Sequence, residues 1–313
     1  MNLSLVIPCY NEQDNVEKLF NEINRVFASR VEDYEFVFVN DGSTDNTYKN
    51  LKKLFESNPQ HNIQVLSFSR NFGKESAIYA GLSKAKGDMV CLIDADLQQR
   101  PEVVLEMLEV MAQDEDTDCV TAFQEQRKEG KAISAIKSVF YKMINKICDI
   151  DFVNGASDFR LMKRKMVNAI LEMTEYNRFS KGIFSWIGFN TKYIPYTVAD
   201  RESGETKWNF RKLMRYAIDG IVSFSTAPLK LSIYVGFISA ALSIIYLIVV
   251  IIQKLCFGIS VPGYATIVVL LLFLGGTQLF CMGLLGEYLA KVFTQVKNRP
   301  IFILKDYLTK DDE

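Results

Sequence analysis

The chain has 313 residues, a formal net charge of −1, 49% hydrophobic and 23% charged residues. That is ample apolar material for one large domain or two ordinary ones, and it excludes a disordered chain, a disulfide mini-protein and a collagen-like repeat. The near-neutral charge argues against a nucleic-acid binder, which needs a basic excess, and six scattered cysteines without a C-x-x-C pair read as reduced, mostly buried thiols.

From the N-terminus, β-branched and aromatic runs predict strands at Leu3–Pro8, Tyr34–Asn40, Ile63–Phe68, Met89–Ile93 and Asp118–Phe123. Helix-period stretches separate them, the first carried by Val16, Leu19, Phe20, Ile23, Val26 and Phe27. Asn11, Ser43 and Thr44 suit helix N-caps, Gly87 a helix stop and Pro101 a first turn. Strands recurring roughly every 25–30 residues with crossover helices predict an α/β fold, a mostly parallel sheet with helices on both faces. Ligands of such sheets bind beyond the carboxyl ends of the strands. The start LSLVIP is strand-like and has no basic leader, so no signal peptide is expected there. No G-x-G-x-x-G follows the first strand, and NFGKES has Phe68 where a P-loop needs its first glycine.

The chemistry-bearing residues fall at the strand ends. The first strand runs into Pro8-Cys9-Tyr10-Asn11-Glu12 and the second into Asn40-Asp41-Gly42-Ser43. A carboxylate before a tight glycine turn suits a base or ribose, although an ordinary strand-to-helix turn looks the same. The fourth strand ends in Asp94-Ala95-Asp96-Leu97-Gln98. Carboxylates at i and i+2 repel unless something positive sits beside them. A hard divalent cation on substrate phosphates meets that need, and a solvated acidic turn is the alternative. The single histidine, His61, lies in a polar loop, which leaves no Ser/His/Asp triad.

Basic amphipathic segments follow at Lys131–Ile147 and Trp208–Ile221. Both suit a lipid headgroup region, and the first suits equally a helix packed on the core with a solvated basic face. Charges then vanish over 231–253 and 265–285, each longer than the roughly 20 apolar residues that cross a bilayer. Arg201, Lys207, Arg211, Lys212, Arg215 and Lys230 precede the first run; Lys291, Lys297, Arg299, Lys305 and Lys310 follow the second; only Lys254 lies between. The positive-inside rule predicts a multi-pass plasma-membrane protein with a hairpin and both termini cytoplasmic. The predicted organisation is a globular domain over 1–200, a basic juxtamembrane segment over 201–230, two spans over 231–286 and a tail over 287–313.

PCYNE, VNDGSTD, SRNFGKESAIYAGL, DADLQQRP and DFRLM, in this order, resemble the family-2 glycosyltransferases of the GT-A fold. The resemblance is closest to those acting on polyprenyl phosphates, such as bactoprenol glucosyltransferases and dolichol-phosphate mannose synthases, and covers essentially the whole chain. It implies an inverting transfer of a hexose, glucose first among the candidates, from a UDP-sugar to polyprenyl (undecaprenyl) phosphate at the cytoplasmic face. It implies a donor site of Pro8, Tyr10, Asn11, Glu12, Asp41, Gly73, Lys74, Asp94, Ala95, Asp96 and Gln98, with Mg²⁺ or Mn²⁺ on Asp94, Asp96 and Gln98. Arg201 and Lys207, in RESGETK, resemble the loop that grips the donor diphosphate. Arg127, Arg160 and Lys181 would hold the acceptor phosphate. Asp96, Asp158 and Arg201 form the expected catalytic set, and a homo-oligomer in the bilayer, binding no nucleic acid, is expected. A phosphate monoester has a second pKa of about 6, so it arrives largely without a proton, and Asp158 is expected to act by position rather than as a base. The rivals are a processive polysaccharide synthase, whose Q-x-x-R-W stretch is absent, and a non-catalytic scaffold.

Overall fold

The structure is a computed structural model that describes residues 2–28, 30–124, 156–197, 222, 225–257 and 263–310. Five strands and four helices alternate first: β1 (Leu3–Cys9), α1 (Val16–Phe27), β2 (Tyr34–Asn40), α2 (Thr47–Ser57), β3 (Asn62–Phe68), α3 (Lys74–Lys84), β4 (Met89–Leu92), α4 (Glu102–Gln113) and β5 (Cys119–Gln124). Then come β6 (Ala156–Lys163), α5 (Arg164–Glu172), α6 (Ser180–Trp186), β7 (Thr191–Tyr196), α7 (Ala227–Phe257), α8 (Tyr264–Val296) and β8 (Leu304–Leu308).

All eight strands form one sheet in the order β7-β5-β6-β4-β1-β2-β3-β8. The pairings of β1 with β2 and β4, of β2 with β3 and of β5 with β7 are parallel. Those of β6 with β4 and β5 and of β8 with β3 are antiparallel, so the sheet is mixed around a parallel centre. The strands at that centre are apolar on both faces, as a sheet covered on both sides requires. Leu5, Ile7, Phe36 and Phe38 join α1, α2 and α4 in one core. Val6, Val37, Val39 and Leu66 join α3, α5 and α6 in the other.

The expected caps are corrected by the structure. Helices α1 and α2 begin after Asn15 and Asn46, several residues beyond Asn11, Ser43 and Thr44. Asn11, at φ 57°, instead accepts from the Thr44 N–H (2.9 Å), and its own N–H donates to Ser43 Oγ (3.0 Å). The loops after β1 and β2 are thus laced together, and Asn11, Ser43 and Thr44 serve each other there. Helix α3 stops at Lys84, before Gly87. Pro101 stands just ahead of α4.

Helices α7 and α8 carry apolar side chains outward along their lengths, among them Ile233, Phe237, Ile244, Leu271 and Phe280. With 31 and 33 residues they are about 46–50 Å long, enough to cross a bilayer. At their base Tyr288 donates its hydroxyl to Ser225 O (2.7 Å). Past α8 the chain returns to the sheet: Phe302 stacks on Phe68 with ring centroids 5.1 Å apart, and β8 pairs with β3.

Candidate functional site

At the carboxyl end of β4 the register brings two acids together. Leu92, the last residue of β4, pairs with Arg160; Asp94 lies two residues beyond the one and Asp158 two residues before the other. Two carboxylates held close together repel unless a positive group lies beside them. Lys74, the first residue of α3, relieves the repulsion with its Nζ 2.6 Å from Asp94 and 3.1 Å from Asp158. Burial pulls the Lys74 ammonium down, but the two carboxylates outweigh it and hold its pKa above the ordinary lysine value. For Asp158 burial pushes upward, and the charges of Lys74, then Lys181 and Arg160, win, holding the carboxyl below its usual range.

Lys74 is aimed by the end of β2. Asp41, 3% exposed, accepts from the backbone N–H groups of Phe72 (2.7 Å) and Gly73 (3.0 Å), which pins the loop before α3. Burial raises the Asp41 pKa against the pull of these two donors. Its neighbour Gly42 has φ 60°, and a Cβ there would lie 2.3 Å from the Arg70 carbonyl carbon, so the turn admits only glycine. Asp41, expected at the nucleoside, accepts from the Phe72 and Gly73 backbone N–H groups with its two oxygens. Tyr10, directly after β1, is 42% exposed. Pro8 and Glu12 are half-buried, and Glu12 accepts from Asn15 Nδ2 (2.6 Å).

The turn after β4 holds Asp94 from a second side. The Asp94 N–H donates to Gln99 Oε1 (2.8 Å), and Gln99 Nε2 donates back to Asp94 Oδ2 (2.9 Å). Ala95 is buried in the core, while Asp96 and Gln98 are partly exposed, and the Gln98 N–H donates to Asp96 Oδ1 (3.1 Å). Between them Leu97 sits at φ 61°, a left-handed conformation that bulky residues rarely adopt. Among the described residues no three His, Cys, Asp or Glu side chains cluster as a metal site. Asp96 and Gln98 carry side-chain oxygens of the hard kind that suits Mg²⁺ or Mn²⁺ beside substrate phosphates.

On the β6 side Arg160 is 4% exposed. Its guanidinium lies 3.7 Å over the Phe184 ring, Nη2 donates to Ser157 O (2.9 Å), and Nε has no hydrogen-bond partner among the described residues. Burial lowers its pKa. Lys181 sits in the first turn of α6, whose start is held by Glu75: that carboxylate accepts from the Ser180 N–H (2.9 Å) and from the Ser180 hydroxyl. Burial raises the Glu75 pKa. Arg178 lies 4.4 Å over the Tyr79 ring and donates to Met173 O.

The structure therefore joins Lys74, Asp94, Asp158 and Arg160, which the sequence had divided between donor and acceptor. Gln99, Glu75, Ser180 and Arg178 were missed. Gln99 had one signal, a second amide next to Gln98 after the acidic pair; the others look like ordinary polar residues of a helix and a loop. Arg127, Arg201, Lys207 and the segments 131–147 and 208–221 lie outside the described residues.

Residues 4–171 match the family model described as Glycosyl transferase family 2, and residues 227–292 match that of the GtrB C-terminal hairpin. A putative glycosyltransferase, CsbB, of Bacillus subtilis is 41% identical over 304 residues, covering 97% of this chain and 91% of the relative. The SfII prophage-derived bactoprenol glucosyl transferase of Shigella flexneri is 40% identical over 306 residues, covering 97% and 98%.

Proposed function

The chain belongs to glycosyl transferase family 2, and from that premise we propose that it moves one hexose, glucose first, from a UDP-sugar to polyprenyl phosphate at the cytoplasmic face of the membrane. The observation that carries this reading is the meeting, at one sheet edge, of a hard-oxygen group and a cationic one. Asp96 and Gln98 follow Asp94, which pairs with Lys74; the same lysine reaches Asp158, whose carboxylate also feels Lys181 and Arg160. The bactoprenol acceptor named for the Shigella flexneri relative agrees with it.

The acceptor phosphate oxygen attacks the anomeric carbon, the bond from that carbon to the diphosphate breaks, and the nucleoside diphosphate leaves with the electron pair. A single displacement inverts the anomeric configuration. Asp96 and Gln98 would hold Mg²⁺ or Mn²⁺, which when bound offsets charge on the leaving diphosphate. Asp94 is already engaged by Lys74 and Gln99 and so supports that turn from behind. Arg201 and Lys207 are assigned to the diphosphate, where a guanidinium fork and an ammonium both suit phosphate oxygens. Asp158, kept ionised by its cations, orders Lys74 and Lys181 for the incoming dianion.

Membrane placement has structural support as well. Because β8 returns to the sheet that precedes α7, a bilayer crossed by both helices leaves the two ends of the hairpin on one side. The flanking cations favour the cytoplasm for that side. The test is transfer from radiolabelled UDP-glucose by the full chain in proteoliposomes containing undecaprenyl phosphate and Mg²⁺. A chelator-sensitive product of one hexose per lipid is expected; a polymer, or no lipid-linked sugar from any UDP-hexose, overturns the reading.

A further inference from the structure

The loop 173–179, between α5 and α6, touches the membrane hairpin on one side and the site on the other. Gln295, in the last turn of α8, brackets it: Nε2 donates to Thr174 O (3.2 Å), and Oε1 accepts from the Tyr176 N–H (2.8 Å). One side-chain amide thereby satisfies a backbone acceptor and a backbone donor two residues apart, which fixes the loop in place along α8. Two residues on, Arg178 is held over Tyr79 of α3 and bonded to Met173 O. Ser180 is bonded to Glu75, the neighbour of Lys74, and Lys181 follows it. Hydrogen bonds and the chain between them therefore lead from the last turn of α8 to the lysine between Asp94 and Asp158.

Gln295 lies about 15 Å of helix beyond Leu285, the last residue of the apolar run. A phosphate carried on a bilayer lipid has its height set by the bilayer, and the site must be held to match. The part of this chain fixed by the bilayer is the hairpin. Resting on the function proposed above, we propose that Gln295 is a positioning residue: it ties the acceptor side of the site to the membrane helix, so that a lipid-borne phosphate meets Lys181 and Lys74 at the right height. A phosphate acceptor free in water has no fixed height and does not need the tie.

The experiment compares wild type, Gln295→Ala and Gln295→Met, as full chains in vesicles, on two acceptors with UDP-glucose as donor. One acceptor is undecaprenyl phosphate in the bilayer; the other is a short prenyl phosphate soluble in buffer. Both variants are expected to raise the apparent KM for the bilayer acceptor by about threefold to tenfold, the range expected for losing exposed hydrogen bonds. The KM for the soluble acceptor and kcat stay within about twofold. Gln295→Glu still accepts from Tyr176 but cannot donate to Thr174, and falls between. Backbone amide exchange at Tyr176 and Ser180 speeds up in Gln295→Ala. Equal losses on both acceptors, or no loss, overturn the proposal. Unchanged exchange at Ser180 overturns it by itself, including where wild type transfers sugar to neither acceptor, the result that fells the reading of function instead.

Discussion

Two carboxylates, Asp94 and Asp158, share one ammonium, and much of the residue-scale behaviour follows from Lys74. Lys74→Met leaves the acids opposed. Because Lys74 is 46% exposed, solvent screens part of the loss, and a cost of about 1–2 kcal/mol at pH 7 is expected, with activity nearly abolished. In wild type the Asp158 pKa is depressed, so its stabilisation is present above the unfolded value of about 3.9 and is lost as pH falls through the folded one. In the variant Asp158 loses that cation and takes up a proton at higher pH, so the melting-temperature gap to wild type should narrow from pH 7 toward pH 4; a gap that widens contradicts the bridge. Asp158→Asn is expected to lower transfer by a factor that stays constant between pH 7 and 9. Recovery of about tenfold per pH unit would identify Asp158 as a general base instead. The sequence revealed the acidic pair and its need for a positive partner and named a metal for it, but did not reveal that Lys74 pairs with Asp94. The bridge to Asp158 was illegible because Lys74 and Asp158 are 84 residues apart and meet only once α3 and β6 are placed in the fold.

Helix α3 is the element that sets the lysine. Asp41 fixes its start, and Gly81 lets its body lie on the sheet: a Cβ at Gly81 would come 2.2 Å from Val6 Cγ1 and 3.2 Å from Val39 Cγ2. Gly81→Ala must lift α3 off β1, at an expected cost of about 1–3 kcal/mol, and drag Lys74 from its two acids. A lower melting temperature together with reduced transfer would be seen; full activity in a destabilised variant would mean that α3 shifts without moving its first turn. At this scale the central strands were legible, since runs such as Phe36–Val39 are apolar on both faces. Strands β7 and β8 were not, because TKYIPY and LKDYL mix lysine, aspartate and proline into short edge segments that carry no alternation. The misplaced caps have the same origin: Asn11, Ser43 and Thr44 are cap-type residues recruited to hold two site loops to each other.

Across the whole molecule, the membrane hairpin was legible from the gaps in charge alone, whereas the return of the chain to the sheet was not. Residues 287–313, expected as a tail, supply the last turns of α8 and the edge strand β8, with Tyr307 donating to Gln64 Oε1 (2.6 Å). In a cysteine-free background, a label applied from outside intact cells should reach a cysteine at Ser260, between the helices, and miss one at Thr309; the reverse pattern would put the transferase site away from cytosolic sugar nucleotides. Deleting residues 301–313 uncovers Phe68 and the free edge of β3, so the truncated chain should melt earlier and aggregate in detergent. The same strand sets an order of assembly during synthesis. Its partner β3 is made some 240 residues earlier and must wait, edge open, while the ribosome completes both apolar helices. The last backbone pairing of the catalytic sheet therefore forms only after the hairpin has emerged, and the chain completes its enzyme domain after it has made its own anchor.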